Sequence, residues 1–351
     1  MSTRPYIISP DDRILVTGSN GFIGVRLVKA LLGYGFSNIR CFVRPSSSLK
    51  KLNKVVANDD SAGSIEIFAG DLLSWADCER ATSGVSLIYH LAAGFDKSFA
   101  GAFMNSVLTT RNLIEAFLKT GAPKRFVNVS SFAVYSNLEM RRGALLDETS
   151  PLENSSTERC DAYGYGKLKQ EQIVRRYGAE RNLPFVILRP GFVYGSGKKE
   201  LSGRVGINTF GFFIHLGGTN QLPMTFVENC ADAIALAGLV PGVDGEVFNV
   251  VDDETLQSRE LLRAYRSKVP KFRSVSLPYP VSSVLSNLWE RYSAWSQNQL
   301  PPVFNRRRCS AEWKGNRYSN QKLKERLGWQ PRVSLKEGLA EFLSQFTHDQ
   351  Y

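Results

Sequence analysis

Residues 13–24 read Arg13-Ile14-Leu15-Val16-Thr17-Gly18-Ser19-Asn20-Gly21-Phe22-Ile23-Gly24. The first five are short, apolar and β-branched, the pattern of a strand buried on both faces in a parallel sheet. Residues 25–32 carry apolar side chains at helical spacing. The turn between them has glycine at positions 18, 21 and 24. Such a turn lets backbone N–H groups approach a pyrophosphate, and the helix N-terminus behind it favours negative charge. The spacing is G-x-x-G-x-x-G, not G-x-G-x-x-G, and three glycines also suit a tight structural turn. The strand–turn–helix context points to a dinucleotide, with Gly18, Asn20, Gly21, Phe22, Ile23 and Gly24 as candidate contacts.

Outward from this stretch, residues 39–43, 65–68, 87–90, 125–129 and 184–188 read as further strands, and 106–119 and 163–181 as helices. Strands alternating with helices predict an α/β fold, a doubly wound parallel sheet of the Rossmann type with helices on both faces. After Pro190 the pattern changes. Residues 191–218 are glycine-rich with few clear strands, 228–239 read as a helix, 245–251 as a strand, and helices and loops dominate from 259. The division is a dinucleotide-binding domain over 11–190, joined again by about 225–251, and a smaller substrate-binding part over 191–224 and 252–345. Residues 53–64 read as a polar surface loop.

Composition narrows the function. The 351 residues are 43% hydrophobic, which excludes a disordered chain. The five cysteines are scattered without a C-x-x-C pair, against a disulfide framework or a cysteine zinc site. The histidines, His90, His215 and His348, form no ligand spacing, so no metal is expected, and His90 reads as packing beside the cofactor segment. The polar N-terminus is no signal peptide, and no apolar run reaches the roughly 18–20 residues of a membrane helix. A soluble cytoplasmic protein is expected. The net charge is +11, and residues 259–332 hold 16 Lys or Arg against 4 Asp or Glu, so the surplus lies in the C-terminal third. A solvated basic face, an anionic substrate and a membrane surface all fit; without a binding motif, nucleic acid is not expected.

The second strand ends Phe42-Val43-Arg44, with no acid from residue 21 to 57. NAD enzymes place Asp or Glu there for the ribose hydroxyls. Arg44 suits the extra 2′-phosphate of NADP through a charge-assisted contact; the alternative is Arg44 in solvent and NAD held by backbone. Tyr163 and Lys167, in Tyr163-Gly164-Tyr165-Gly166-Lys167, are four apart and share one helix face. A free tyrosine, with a pKa near ~10, is a poor base at neutral pH, and a nearby ammonium is expected to lower it. Tyr163 then exchanges a hydroxyl proton while hydride moves. Tyr165 lacks the lysine four residues on and is second choice. Asn128-Val129-Ser130-Ser131-Phe132-Ala133-Val134-Tyr135 ends the fifth strand, the sheet edge where ligands bind. A serine there suits a substrate oxygen, or caps the next turn.

These residues together resemble the extended short-chain dehydrogenase/reductases, also described as the NAD-dependent epimerase/dehydratase family. The resemblance spans roughly residues 11–345. It rests on the glycine turn, Gly70-Asp71-Leu72, His90-Leu91-Ala92-Ala93, the Ser130–Tyr135 run, Tyr163 to Lys167, Leu188-Arg189-Pro190-Gly191, residues 226–233 and 245–250, and 318–331. It implies Ser131, Tyr163 and Lys167 as catalytic, with Tyr163 the acid/base and Lys167 also on the nicotinamide ribose. It implies Asp71 and Leu72 at the adenine and Ala92 and Ala93 along the cofactor. Ser130 and Pro190 complete the cofactor contacts, and Asn105 matches a structural asparagine. A homodimer through the helices near 106–119 and 163–181 is also implied.

Two departures bear on the substrate. No Asn follows Arg189-Pro190 at 191 or 192, and residues 221–226 hold no Arg, so the usual nucleotide-diphosphate clamp is incomplete. Arg306, Arg307 and Arg308 fall near the family's other phosphate-binding arginine; a surface charge run is the alternative. Phe132 and Ala133 stand where dehydratases place an acidic pair, against dehydration. The expected activity is NAD(P)-dependent hydride transfer, redox or epimerisation, at a secondary alcohol or ketone of a small, anionic molecule, first a nucleotide sugar. The alternative is an NADPH-dependent ketone reductase or a hydroxysteroid-dehydrogenase-like enzyme on an apolar substrate, which the apolar stretch 210–216 suits. The intact Ser131, Tyr163 and Lys167 oppose a non-catalytic scaffold.

Overall fold

Seven strands form one parallel sheet in the computed structural model, which describes residues 6–57, 65–94, 98–209, 211–269, 272–297, 299–300 and 302–346. They are β1 (Arg13–Thr17), β2 (Ile39–Val43), β3 (Glu66–Ala69), β4 (Val85–His90), β5 (Arg125–Val129), β6 (Phe185–Pro190) and β7 (Val247–Val250). Their order is β7-β6-β5-β4-β1-β2-β3. Strand side chains alternate between faces, so Ile14 and Val16 join one buried cluster and Leu15 the other. On the first face lie α1 (Phe22–Gly33) and α6 (Val227–Leu239). On the second lie α3 (Trp75–Thr82), α4 (Thr109–Thr120) and α5 (Ala162–Arg181).

Several elements differ from the sequence reading. The expected loop 53–64 begins inside α2 (Lys50–Ala57), a helix of eight residues with one buried side chain, Leu52; residues 58–64 lie outside the described residues. The expected helix 106–119 is a π-helical turn, Phe103–Leu108, running into α4. There Thr109 and Thr110 return their hydroxyls to the carbonyls of Asn105 and Ser106, a bond that competes with the regular ladder. The glycine-rich stretch after Pro190 holds more strand than expected. Phe192–Tyr194 pairs with Met224–Phe226, and Gly206–Thr209 forms a hairpin with Phe212–Gly217, which also pairs with Ser274–Pro278. Gly206 is needed for the hairpin: a Cβ there would lie 2.1 Å from the Ile214 carbonyl oxygen. Phe210 lies outside the described residues.

Beyond β7 come α7 (Ser258–Lys268), α8 (Tyr279–Trp295), α9 (Arg306–Trp313), α10 (Gln321–Leu327) and α11 (Leu335–Ser344). Phe192, Phe213, Leu261 and Phe342 close a separate core of the smaller part. Leu323, Leu327 and Trp329, although inside residues 252–345, pack into the sheet's first cluster instead. Among the described residues no helix is long and apolar enough to cross a membrane.

One buried cation ties α6 to the sheet. Arg125 of β5 is fully buried and donates to the carbonyls of Ala237, Gly238 and Val240 while bonding Asp244. A guanidinium at a helix C-terminus satisfies carbonyls that have no intrahelical donor. Arg125→Leu is expected to lower the unfolding free energy by about 3 kcal/mol, read by urea denaturation; an unchanged midpoint would contradict this role.

Candidate active site

The glycine turn is shaped by contact. Gly18 has a φ of +69°, a left-handed conformation suited to glycine. A Cβ on Gly24 would lie 2.1 Å from the Gly18 carbonyl oxygen, so α1 can begin this close to β1 only without one. Gly21 caps α1 with no side-chain bond, and the first turn holds no acid. The leading N–H groups of a helix lack intrahelical acceptors and face the crevice where the strand order reverses between β4 and β1. A cavity of about 600 Å³ occupies this crevice.

Gly18, Gly21, Phe22, Ile23 and Gly24 line one wall, with Ala93, Ser130, Ser131, Tyr163, Lys167 and Pro190 also lining the cavity. Asp161 starts α5 by accepting the Gly164 N–H at 2.8 Å, which sets Tyr163 in the first helical turn. Tyr163 is hydrogen-bonded to Ser131. Ser131 Oγ also accepts the Ala133 N–H at 3.2 Å, which fixes the serine. Burial pushes the Tyr163 phenol up to about 12, the Ser131 bond opposing and Asp161 adding to the rise. This corrects the expectation that Lys167 lowers it. Lys167 is itself buried and donates to the Val129 carbonyl at 2.6 Å; burial brings it down to about 7, with Glu171 opposing. The phenol is therefore protonated at neutral pH.

Behind this wall several buried polar groups pair with one another, whereas both amide atoms of Asn128 are buried without a partner among the described residues. Arg189 of the Leu188–Gly191 motif holds Glu171 through both oxygens, at 2.9 and 2.7 Å, and donates to Tyr135 Oη at 2.9 Å. It is a support for α5 and does not line the cavity. His90 lies 2.8 Å from Thr17 Oγ1 and 2.9 Å from Thr110 Oγ1, and Thr17 Oγ1 accepts the Ala92 N–H. Burial, aided by Lys167, lowers His90 to about 3. His90 thus packs as a neutral ring beside the Leu91–Ala93 segment.

Asn20, Arg44, Asp71, Leu72 and Ala92 are not on the cavity wall. Arg44 is exposed at the end of β2, beside the crevice. Asp71 orders its own loop, its Oδ1 accepting the Leu73 N–H and its N–H bonding Asp77, and Leu72 is buried in the second cluster. Asn105 sits in the π-helical turn, and the Tyr165 ring packs edge-on against Phe99.

The structure adds lining residues that the motifs did not flag: Arg159, Lys198 and Arg204. Arg159 is committed to the Ala133 and Tyr135 carbonyls and to Asp161 at 3.0 Å. The Gly195-Ser196-Gly197-Lys198 run was the available signal for Lys198. Arg306, Arg307 and Arg308 pair instead with Glu290, with Glu153 and Glu158, and with Glu312. None of the three lines the cavity, and their carboxylate partners fit the alternative of a surface charge run.

A sequence model of the NAD dependent epimerase/dehydratase family matches residues 14–250. A 3-beta-hydroxysteroid dehydrogenase of Mycolicibacterium neoaurum is 27% identical, the alignment covering 95% of this chain and 91% of that protein. A decarboxylating sterol-4-alpha-carboxylate 3-dehydrogenase of Bos taurus is 24% identical, over 96% of this chain and 93% of its own. Among solved structures, UDP-glucose 4-epimerase of Thermus thermophilus in complex with NAD has a TM-score of 0.68 at 21% identity, covering 95% of this chain and 98% of that one. The last likeness is one of fold.

Lys167 gives the site a pH signature. Its folded value, about 7, lies below the ordinary 10.5, so between the two the unfolded chain holds a proton that the folded chain has released. Its contribution to stability therefore rises with pH across that window and is lost as pH falls toward 7. Urea denaturation at stepped pH should show a steeper rise in the wild type than in Lys167→Met. Identical slopes would contradict the burial of this amine.

Proposed function

The chain belongs to the NAD-dependent epimerase/dehydratase family, and on that premise we propose that it is an NADP-linked oxidoreductase acting on a secondary alcohol or ketone of an apolar substrate. The observation that carries this reading is the half-buried, protonated Tyr163 phenol, bonded to Ser131 on the wall of the cavity that the glycine turn opens into.

The residues fit a dinucleotide. The close approach at Gly24 leaves the backbone of the turn bare, and Ser130 Oγ is buried on the cavity wall with no partner among the described residues. The turn and the N-terminus of α1 would hold the pyrophosphate, and Lys167 would hold the nicotinamide ribose. The bound cofactor supplies or accepts the hydride. Tyr163 gives its phenolic proton to the substrate oxygen as a ketone is reduced, and takes it back as an alcohol is oxidised. Ser131 bonds both the phenol and the substrate oxygen. The phenol needs no prior charging to act in the reducing direction, because burial keeps it protonated.

Arg44 supports NADP. It is exposed at the end of β2, and residues 21–57 hold no carboxylate to repel a 2′-phosphate. For the substrate, Phe192 and Val193 give the cavity apolar lining away from the glycine turn, and the arginine triplet is taken up by carboxylates. The relatives named as hydroxysteroid and sterol dehydrogenases favour the same class. A nucleotide sugar is the second reading, supported by Lys198 and Arg204 on the wall. Assembly as a homodimer through α4 and α5 rests on the family resemblance.

Turnover with NADPH and a panel of steroid ketones, against UDP-sugars, separates the readings. NADPH oxidation with a steroid ketone supports the proposal; interconversion of UDP-sugars on retained NAD, without added cofactor, overturns it. Tyr163→Phe is expected to lower kcat by about 100-fold or more while NADPH affinity changes little; a KM effect alone would contradict its role. Arg44→Ala should weaken NADPH binding by about tenfold and leave NADH binding unchanged, as read by calorimetric titration. Equal losses for both cofactors would remove Arg44 from the 2′-phosphate.

A further inference from the structure

Helix α8 is built inside out. Its buried residues are Ser282, Ser286 and Ser293. Ser282 and Ser286 return their hydroxyls to nearby carbonyls, and Ser293 donates to the Leu300 carbonyl. Val281, Val284, Leu285, Leu288, Tyr292 and Trp295 point outward at helical spacing, with Val284 at 60%, Leu288 at 55% and Trp295 at 78% exposure. A helix on a globular surface ordinarily turns its apolar stripe to the core. Trp289, Tyr292 and Trp295 run along this face as neighbouring rings, with centroids 6.2 and 5.7 Å apart.

The exposed apolar surface continues past the helix. Ile214 and Leu277, on the small sheet, line a groove of about 420 Å³ with Leu285, Leu288 and Phe304. Phe212 and Val275, at alternate positions on the same two strands, are exposed at 44% and 53%. A continuous apolar surface of this kind marks an interaction face.

We propose that α8 and its groove form a membrane-docking face, lying in the plane of an anionic bilayer surface. Charge selects this occupant. The outward stripe carries no charged residue, Arg291 stands exposed at its rim and Arg273 at the start of the strand leading into the helix. These two exposed guanidiniums give the rim a positive field. That field draws the face toward anionic headgroups and opposes pairing with a second copy of the same face. Tryptophan and tyrosine suit the interfacial depth. A helix with large aromatic and aliphatic side chains on one face lies on a bilayer without spanning it, in keeping with the lack of a crossing helix among the described residues. Ser202, Gly203 and Arg204 line the catalytic cavity and Ile207 lines this groove, so the docked face lies close to the site along the chain.

The test is cosedimentation of the full chain with phosphatidylglycerol–phosphatidylcholine vesicles and with pure phosphatidylcholine vesicles. Partitioning should be about tenfold higher or more on the anionic vesicles, weaken with salt, and shift tryptophan emission to the blue. The double variant Leu288→Glu, Trp295→Glu should lose binding while keeping the wild-type unfolding midpoint and NADPH affinity, since both side chains are exposed. A wild type that stays in the supernatant with anionic vesicles overturns the proposal. So does a variant that still binds them, or a wild-type dimer that the two substitutions convert to monomer.

Discussion

The approach of Gly24 to the Gly18 carbonyl, where a single Cβ would sit at 2.1 Å, is the contact on which the rest depends. It brings the start of α1 against the end of β1. Because the strand order reverses between β4 and β1, the N–H groups at that helix start face an open crevice rather than a neighbouring crossover. The ends of β5 and β6 and the first turn of α5 border the same crevice. Ser131, Tyr163 and Lys167 thus share a cavity with the glycine turn although more than a hundred residues separate them along the chain.

Desolvation then sets the chemistry of the wall. Burial favours the neutral forms of Tyr163, Lys167 and His90, because a charge loses more hydration than a neutral group. The charges that remain behind the wall are paired, as in the contact of Arg189 with Glu171. Hydrogen bonds with Thr17 and Thr110 hold His90, and the Val129 carbonyl accepts from Lys167 and holds the amine. The result is a preorganised proton donor whose orientation costs no rearrangement when substrate arrives.

Much of this was legible in the sequence, and the limits have physical causes. All seven sheet strands could be read, since each is a short apolar run punctuated by turns and helices. The glycine turn and the Tyr163–Lys167 spacing were readable because their geometry is local. Helix α2 was hidden because its eight residues make little more than two turns, and the hairpin at Gly206 because its glycine serves a close contact with a residue eight positions away. The direction of the Tyr163 shift was misread because spacing places an ammonium nearby but does not show how far the fold desolvates the two groups. The choice between a phosphate site and a surface charge run at Arg306, Arg307 and Arg308 could not be read locally, because carboxylate partners of Arg307 lie about 150 residues away. The inverted face of α8 has the same origin, since periodicity shows a stripe without showing which side faces the core.

The account stands most directly on the claim that the bare glycine turn binds a dinucleotide beside Tyr163. Calorimetric titration of NADPH into the wild type and Gly24→Ala tests it, with circular dichroism confirming that both are folded. The account predicts one NADPH per wild-type chain and a loss of about 100-fold or more in the variant, because the added methyl drives α1 away from the turn. Equal affinity in the two folded proteins would contradict it.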